Sequence, residues 1–177
     1  MYIWTGIDVD GQLRGIKDAA RTAEEELGMK PSCFTLPMHI SLKIPFFVSD
    51  DVAPRVISEL ENRLLSAKRF EIDVDGIRDE GNIIWIRMTP SKELDELTDD
   101  IVALTSRRFD VEPHEYDCDR LYHTTLFMDA DRTKMQEALT RVKHIALPKR
   151  IAADRFIIGT SESGELGSFK VIRTLEV

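Results

Sequence analysis

Apolar residues along this chain follow two rhythms, a spacing of three to four for helices and strict alternation for strands. Residues 2–8 are predominantly apolar and read as a strand. Residues 11–27 place Leu13, Ile16, Ala20, Ala23 and Leu27 on one helical face, and Gly28 follows as a stop. Residues 34–47 read as extended, with Pro37 and Pro45 near the ends. The spacing of Val52, Val56, Leu60 and Leu64 predicts a helix over about 51–67. Phe70 to Ile77 alternates as a strand, Asp79-Glu80-Gly81-Asn82 turns the chain, and 83–89 is the next strand. Ser91 is placed to cap a helix to about Arg108, with Leu94, Leu97, Ile101 and Leu104 inward. A polar loop leads to a strand at 121–128 and a helix at 131–143. Two strands near 154–160 and 168–175 close the chain, joined by a turn at Glu162 to Gly167.

This order repeats. Tyr2-Ile3-Trp4 and Ile83-Ile84-Trp85 each open a strand–helix pair. His39-Ile40-Ser41-Leu42 follows the first helix and His123-Thr124-Thr125-Leu126 the second. Trp4 and Trp85 are 81 apart, His39 and His123 are 84 apart, and Gly76 and Gly159 are 83 apart. Near-constant offsets predict two copies of one strand–helix–strand–helix–strand unit, approximately 1–80 and 81–177, within a single domain. The expected fold is α+β: two pseudo-symmetric lobes, each an antiparallel sheet with helices packed outside, around a central groove.

Strand alternation assigns faces in the two motifs. Met38, Ile40, Leu42 and Ile44 share an apolar face; Pro37, His39, Ser41 and Lys43 share the other. Tyr122, Thr124, Leu126 and Met128 face the core; Leu121, His123, Thr125 and Phe127 lie opposite. Each histidine therefore has a hydroxyl about 6.7 Å along its own face, within reach of one small group. Phosphoester cleavage needs a nucleophile to lose a proton and a leaving oxygen to gain one. Two imidazoles with pKa near ~6.5 divide that work at neutral pH. Hydroxyl donors hold the non-bridging oxygens as charge builds on them. The paired arrangement carries the reading, since a lone H-x-[ST] is more often structural. His114 and His144 lack a hydroxyl partner and are read as surface residues.

Composition narrows the classes. The 177 residues are 42% hydrophobic and 32% charged, as in an ordinary soluble domain with its own core. No apolar stretch approaches the ~20 residues of a membrane span, and the first residues lack a basic leader, so a cytoplasmic protein is expected. The net charge of −8 disfavours binding to long duplex nucleic acid. It leaves room for a small anion in a locally positive cleft. Cys33 and Cys118 have no C-x-x-C spacing and are read as buried thiols. With no H-E-x-x-H and no cysteine–histidine cluster, no metal or cofactor is expected.

The pair His39-Ile40-Ser41-Leu42 and His123-Thr124-Thr125-Leu126 resembles the H-x-[ST]-x signatures of the 2H phosphoesterase superfamily. The stretch from Met38 to Phe46 is especially similar to the bacterial members known as 2′-5′ RNA ligases. The resemblance implies two α+β lobes around a water-filled groove. It also implies action without ATP or metal on 2′,3′-cyclic phosphates or 2′-5′ linkages of RNA or small nucleotides. By motif match His39 and His123 would be the acid/base pair, in either order, and Ser41 and Thr125 the phosphate-binding hydroxyls. Ligase-like members often carry a basic residue just after the second motif, where this chain has Phe127-Met128. Lys43 is expected to make a phosphate contact instead.

Other residues have two readings each. Phe127 stacks on a base or packs in the core. Trp4 and Trp85, on equivalent strands, belong to the core or line the cleft. Arg87 and Arg120 are candidate phosphate contacts. The expected partner is a nucleotide or RNA end, met by a monomer. A nucleotide or RNA-end binding module with little or no turnover is the alternative. A protein–protein adaptor, for which only the acidic helices speak, ranks last.

Overall fold

The computed structural model describes residues 1–30 and 36–177. Cys33 and the first residues of the stretch predicted as extended from 34 lie outside them. The elements run β1 (Tyr2–Asp8), α1 (Arg14–Leu27), β2 (His39–Phe47), α2 (Ala53–Leu65), β3 (Phe70–Asp79), β4 (Ile83–Met88), α3 (Lys92–Phe109), α4 (Glu115–Cys118), β5 (His123–Met128), α5 (Arg132–Val142), β6 (Arg150–Ala153), β7 (Arg155–Ser161) and β8 (Lys170–Glu176). Local signals explain the boundaries. Gly28 takes φ 60° and ends α1. The Ser91 hydroxyl accepts from Leu94 N at 3.2 Å and starts α3. The Asp131 carboxylate accepts from the backbone of Thr133 and Lys134 and starts α5. Helix α1 begins three residues later than its apolar spacing predicts. The Asp8 carboxylate takes Asp10 N–H at 3.0 Å, which turns the chain before Gly11. The short β6 and α4 are additions, since neither is long enough to show a period.

Two antiparallel four-stranded sheets form, in the orders β2-β1-β7-β8 and β5-β4-β3-β6. The fold class expected from the sequence is the one observed. Each sheet draws strands from both halves of the chain: β3 leaves the first half to pair with β4, and β7 returns from the second to pair with β1. The helices cross over as well. α1 follows β1 but lies against β5 and α5; α3 follows β4 but lies against β2 and α2. One apolar core runs through both sheets, from Ile3, Ile7 and Ile40 to Ile84, Leu126 and Phe127. The histidine strands β2 and β5 are edge strands of their sheets and meet each other at the centre.

Both motif strands carry a bulge at the same place. Asp8 pairs with His39 and Gly6 with Ser41, but the next pair is Thr5 with Lys43, so Leu42 is an extra residue. Arg87 pairs with His123 and Trp85 with Thr125, but the next pair is Ile84 with Phe127, so Leu126 is extra. A bulge of one residue reverses the faces beyond it. Strict alternation therefore holds through the hydroxyl residue and fails after it. Lys43 and Phe127, both expected on the site face, turn inward: Lys43 is 2% exposed and Phe127 0%. Neither is placed to touch a substrate. Cys118, read as a buried thiol, is exposed on α4.

Candidate active site

On the face away from the core, His39 stands in a row with Asp8 of β1, and Arg155 of β7 pairs with that Asp8 carboxylate at 3.1 Å. In the other sheet the matching row is His123, Arg87 of β4 and Gly76 of β3. The next rows hold Ser41 with Gly6 and Thr125 with Trp85. His39, Ser41, His123 and Thr125 are all half-buried. The two motifs come together closely enough for the charge of His123 to bear on His39.

Backbone carbonyls fix both imidazoles. Nδ1 of His39 lies 2.8 Å from the Pro37 carbonyl, and Nδ1 of His123 meets the Leu121 carbonyl. A carbonyl only accepts, so each Nδ1 carries the proton and each Nε2 is left to exchange one with a ligand. The pKa of each ring lies below the ordinary 6.5, and burial is the main cause in both. For His39 the Pro37 carbonyl works against this, the charge of His123 adds to it, and Asp8 opposes it. For His123 the Leu121 carbonyl opposes it and Arg87 adds to it.

Each ring also rests on a tryptophan. Trp85 stacks on His123 with centroids 4.0 Å apart and planes 20° apart; Trp4 meets His39 at 4.4 Å and 41°. Trp4 has to lie along the sheet to reach its histidine, and two glycines leave the room. A Cβ on Gly159 would come within 2.2 Å of the Trp4 indole nitrogen, and one on Gly6 within 3.3 Å of the ring. Of the two readings open for the tryptophans, Trp4 follows the core one, 3% exposed in an apolar cluster with Ile157 and Phe169, while Trp85 is half-buried against His123. Period-two spacing places Trp4, Gly6 and Asp8 on one face, and Trp85 with Arg87 on the other sheet's equivalent face. That was the available signal; the ring contacts were not legible from spacing.

The remaining candidates are distributed differently. The Lys43 ammonium pairs with the Asp117 carboxylate, both buried, and that carboxylate also accepts His114 N–H at 2.7 Å. Arg120 is held by the Asp117 carbonyl at 2.7 Å and Asp99 at 2.6 Å, away from the histidines. Tyr122 faces the core as expected. Its hydroxyl donates to Asp95 at 2.8 Å, and burial raises its pKa to about 12. His114 and His144 are exposed. Surface concavities of about 510 and 710 Å³ lie against α5 and between α2 and α3, and neither touches a motif residue. Among the described residues no group of three or more His, Cys, Asp or Glu is arranged to hold a metal ion. No helix among them is long and apolar enough to cross a membrane.

Two edge strands that meet each carry a pinned histidine followed two residues on by a half-buried hydroxyl residue. Residues 14–165 match the sequence model of the 2′-5′ RNA ligase superfamily, and the chain belongs to that superfamily. No curated protein matches it. Solved structures share the fold over nearly the whole length. E. coli LigT in apo form is 16% identical with a TM-score of 0.62, covering 99% of this chain and 96% of LigT. The Thermus thermophilus protein TT0787 is 14% identical with a TM-score of 0.65, covering 99% and 97%. LigT has also been solved with 3′-AMP, a structure 15% identical with a TM-score of 0.58, covering 99% of this chain and 96% of that one.

Proposed function

We propose that this protein is a metal-independent phosphodiesterase acting on 2′,3′-cyclic phosphate or 2′-5′ phosphodiester linkages of RNA or small nucleotides. The observation that carries the reading is the pair of pinned imidazoles, each with Nε2 free, on edge strands that meet. One Nε2 lone pair takes the proton of the attacking hydroxyl or water. The other ring, protonated, gives a proton to the leaving oxygen. Ser41 and Thr125 donate to the non-bridging oxygens as they gain charge. Depressed pKa values leave both rings largely neutral before substrate arrives. A phosphodiester anion between them favours protonation of one ring. The binding of 3′-AMP by LigT supports a nucleotide as the ligand class.

A panel of 2′,3′-cyclic nucleotides, cyclic-phosphate-ended oligonucleotides and 2′-5′ dinucleotides, assayed with and without EDTA, tests this. His39→Ala and His123→Ala are each expected to cost about 10²–10⁴ in rate, and EDTA nothing. Full activity in either variant refutes the mechanism. Binding without product from wild type favours the nucleotide or RNA-end binding module instead.

A further inference from the structure

Arg87 is anomalous among the arginines of this protein. It stands directly across from His123, on the cleft face of β4 with Trp85. It is half-buried, and its Nε is enclosed with no hydrogen-bond partner. Among the described residues, every other arginine pairs with a carboxylate or is exposed. A partly desolvated cation without a partner is costly. In a chain of net charge −8 the shortage is not of carboxylates in general.

The surroundings fit an anion supplied from outside. Gly76, the neighbour of Arg87 on β3, has no side chain, and a Cβ there would meet nothing nearer than Arg78 Nη1 at 3.8 Å. The floor beside the guanidinium is therefore open. Beyond the bulge, β5 offers no cation of its own, because Phe127 faces the core. A guanidinium gives two parallel N–H donors, which match two oxygens of a phosphate. The positive charge already bears on His123, lowering its pKa after burial has done so.

We propose that Arg87 binds the phosphoryl group directly and is the cation that neutralises it beside His123. This rests on the phosphoester reading of the cleft given above. The required ligand is an anionic phosphate or phosphodiester, and a neutral ester of the same shape loses the contact.

Titration calorimetry with inorganic phosphate and with a nucleoside 2′,3′-cyclic monophosphate tests the assignment. Arg87→Gln is expected to weaken both by about 10- to 100-fold, the range of a charge-assisted hydrogen bond pair. Arg87→Lys keeps the charge without the fork and is expected to fall between. In ligand-free protein, NMR titration should show the His123 pKa rising in Arg87→Gln. A melting curve separates loss of fold from loss of binding. If Arg87→Gln melts early, the lysine variant decides: wild-type affinity in a folded Arg87→Lys overturns the two-donor contact. Wild-type affinity in a folded Arg87→Gln overturns the proposal and leaves the two-histidine reading standing. Failure of the wild type to bind either probe overturns that reading as well.

Discussion

His39 faces Asp8 across its sheet, while His123 faces Arg87 across the other. Around these opposite charges the backbone is nearly the same. Both rings are pinned through Nδ1 to the carbonyl two residues back, both rest on a tryptophan, and both motifs end in a leucine bulge. The inward-turned residues after the bulges differ again. Lys43 is paired with Asp117, and Phe127 packs in the apolar core. A shared shape thus sets unlike charges beside two equivalent rings, whose pKa values burial lowers alike. Asp8 favours the imidazolium of His39, and Arg87 favours the neutral ring of His123. If those neighbouring charges decide the roles, His39 gives the proton to the leaving oxygen and His123 receives one from the nucleophile.

The largest expected effect tests that division. With a substrate whose leaving group needs no proton, such as a p-nitrophenyl ester, His39→Ala should recover most of its loss. His123→Ala should keep its deficit of about 10²–10⁴. Equal recovery by both, measured as kcat/KM, removes the distinction. The next contrast is between Lys43 and Phe127. Lys43→Met leaves Asp117 buried and unpaired and should cost about 3–5 kcal/mol of stability in denaturant melts. Adding Asp117→Asn should return much of it, whereas Phe127→Ala, at about 3–5 kcal/mol, has no such second-site remedy. Gly159→Ala forces the Trp4 indole off its floor and should cost about 1–3 kcal/mol. Trp4→Phe in that background should restore the melting temperature while activity stays low.

The smallest effects are in titration. Asp8→Asn should lower the His39 pKa further, and Arg87→Gln should raise that of His123; histidine NMR reads both. Because both folded pKa values lie below the ordinary 6.5, the unfolded chain binds more protons over that interval. Stability from these two groups is therefore complete above 6.5 and falls as the pH drops through the folded values. A melting temperature unchanged by acid in this range, after correction for the carboxylates, contradicts the burial of the rings.

The elements and the paired motifs were legible because periodicity and spacing are local. Alternation placed His39 with Ser41 and His123 with Thr125, since all four precede the bulges. It misplaced Lys43 and Phe127 because a bulge leaves no apolar signature: Leu42 and Leu126 look like ordinary core positions. Asp117 is 74 residues from Lys43 in sequence, so nothing nearby announced the buried pair. The Trp4–His39 contact depends on Gly6 and Gly159 together, which belong to strands far apart in the chain. Arg87 was visible only as a charge sharing a face with Trp85. Its lack of a partner needed the whole fold.

The exchange of third strands bears on how the protein is made. β1 ends up between β2 and β7, and the Thr5 hydroxyl donates to the Ile157 carbonyl 152 residues later in sequence. During synthesis β1 and β2 can pair early, but the other edge of β1 stays open until β7, some 152 residues later, has left the ribosome. Six of its seven residues are buried in the finished sheet. A nascent chain therefore carries an apolar, unpaired strand edge until β7 has been made, the kind of surface that invites association with neighbours. Such long-range pairing also makes folding slow. Yield on expression should respond to temperature and chaperone supply, even when the finished protein is stable.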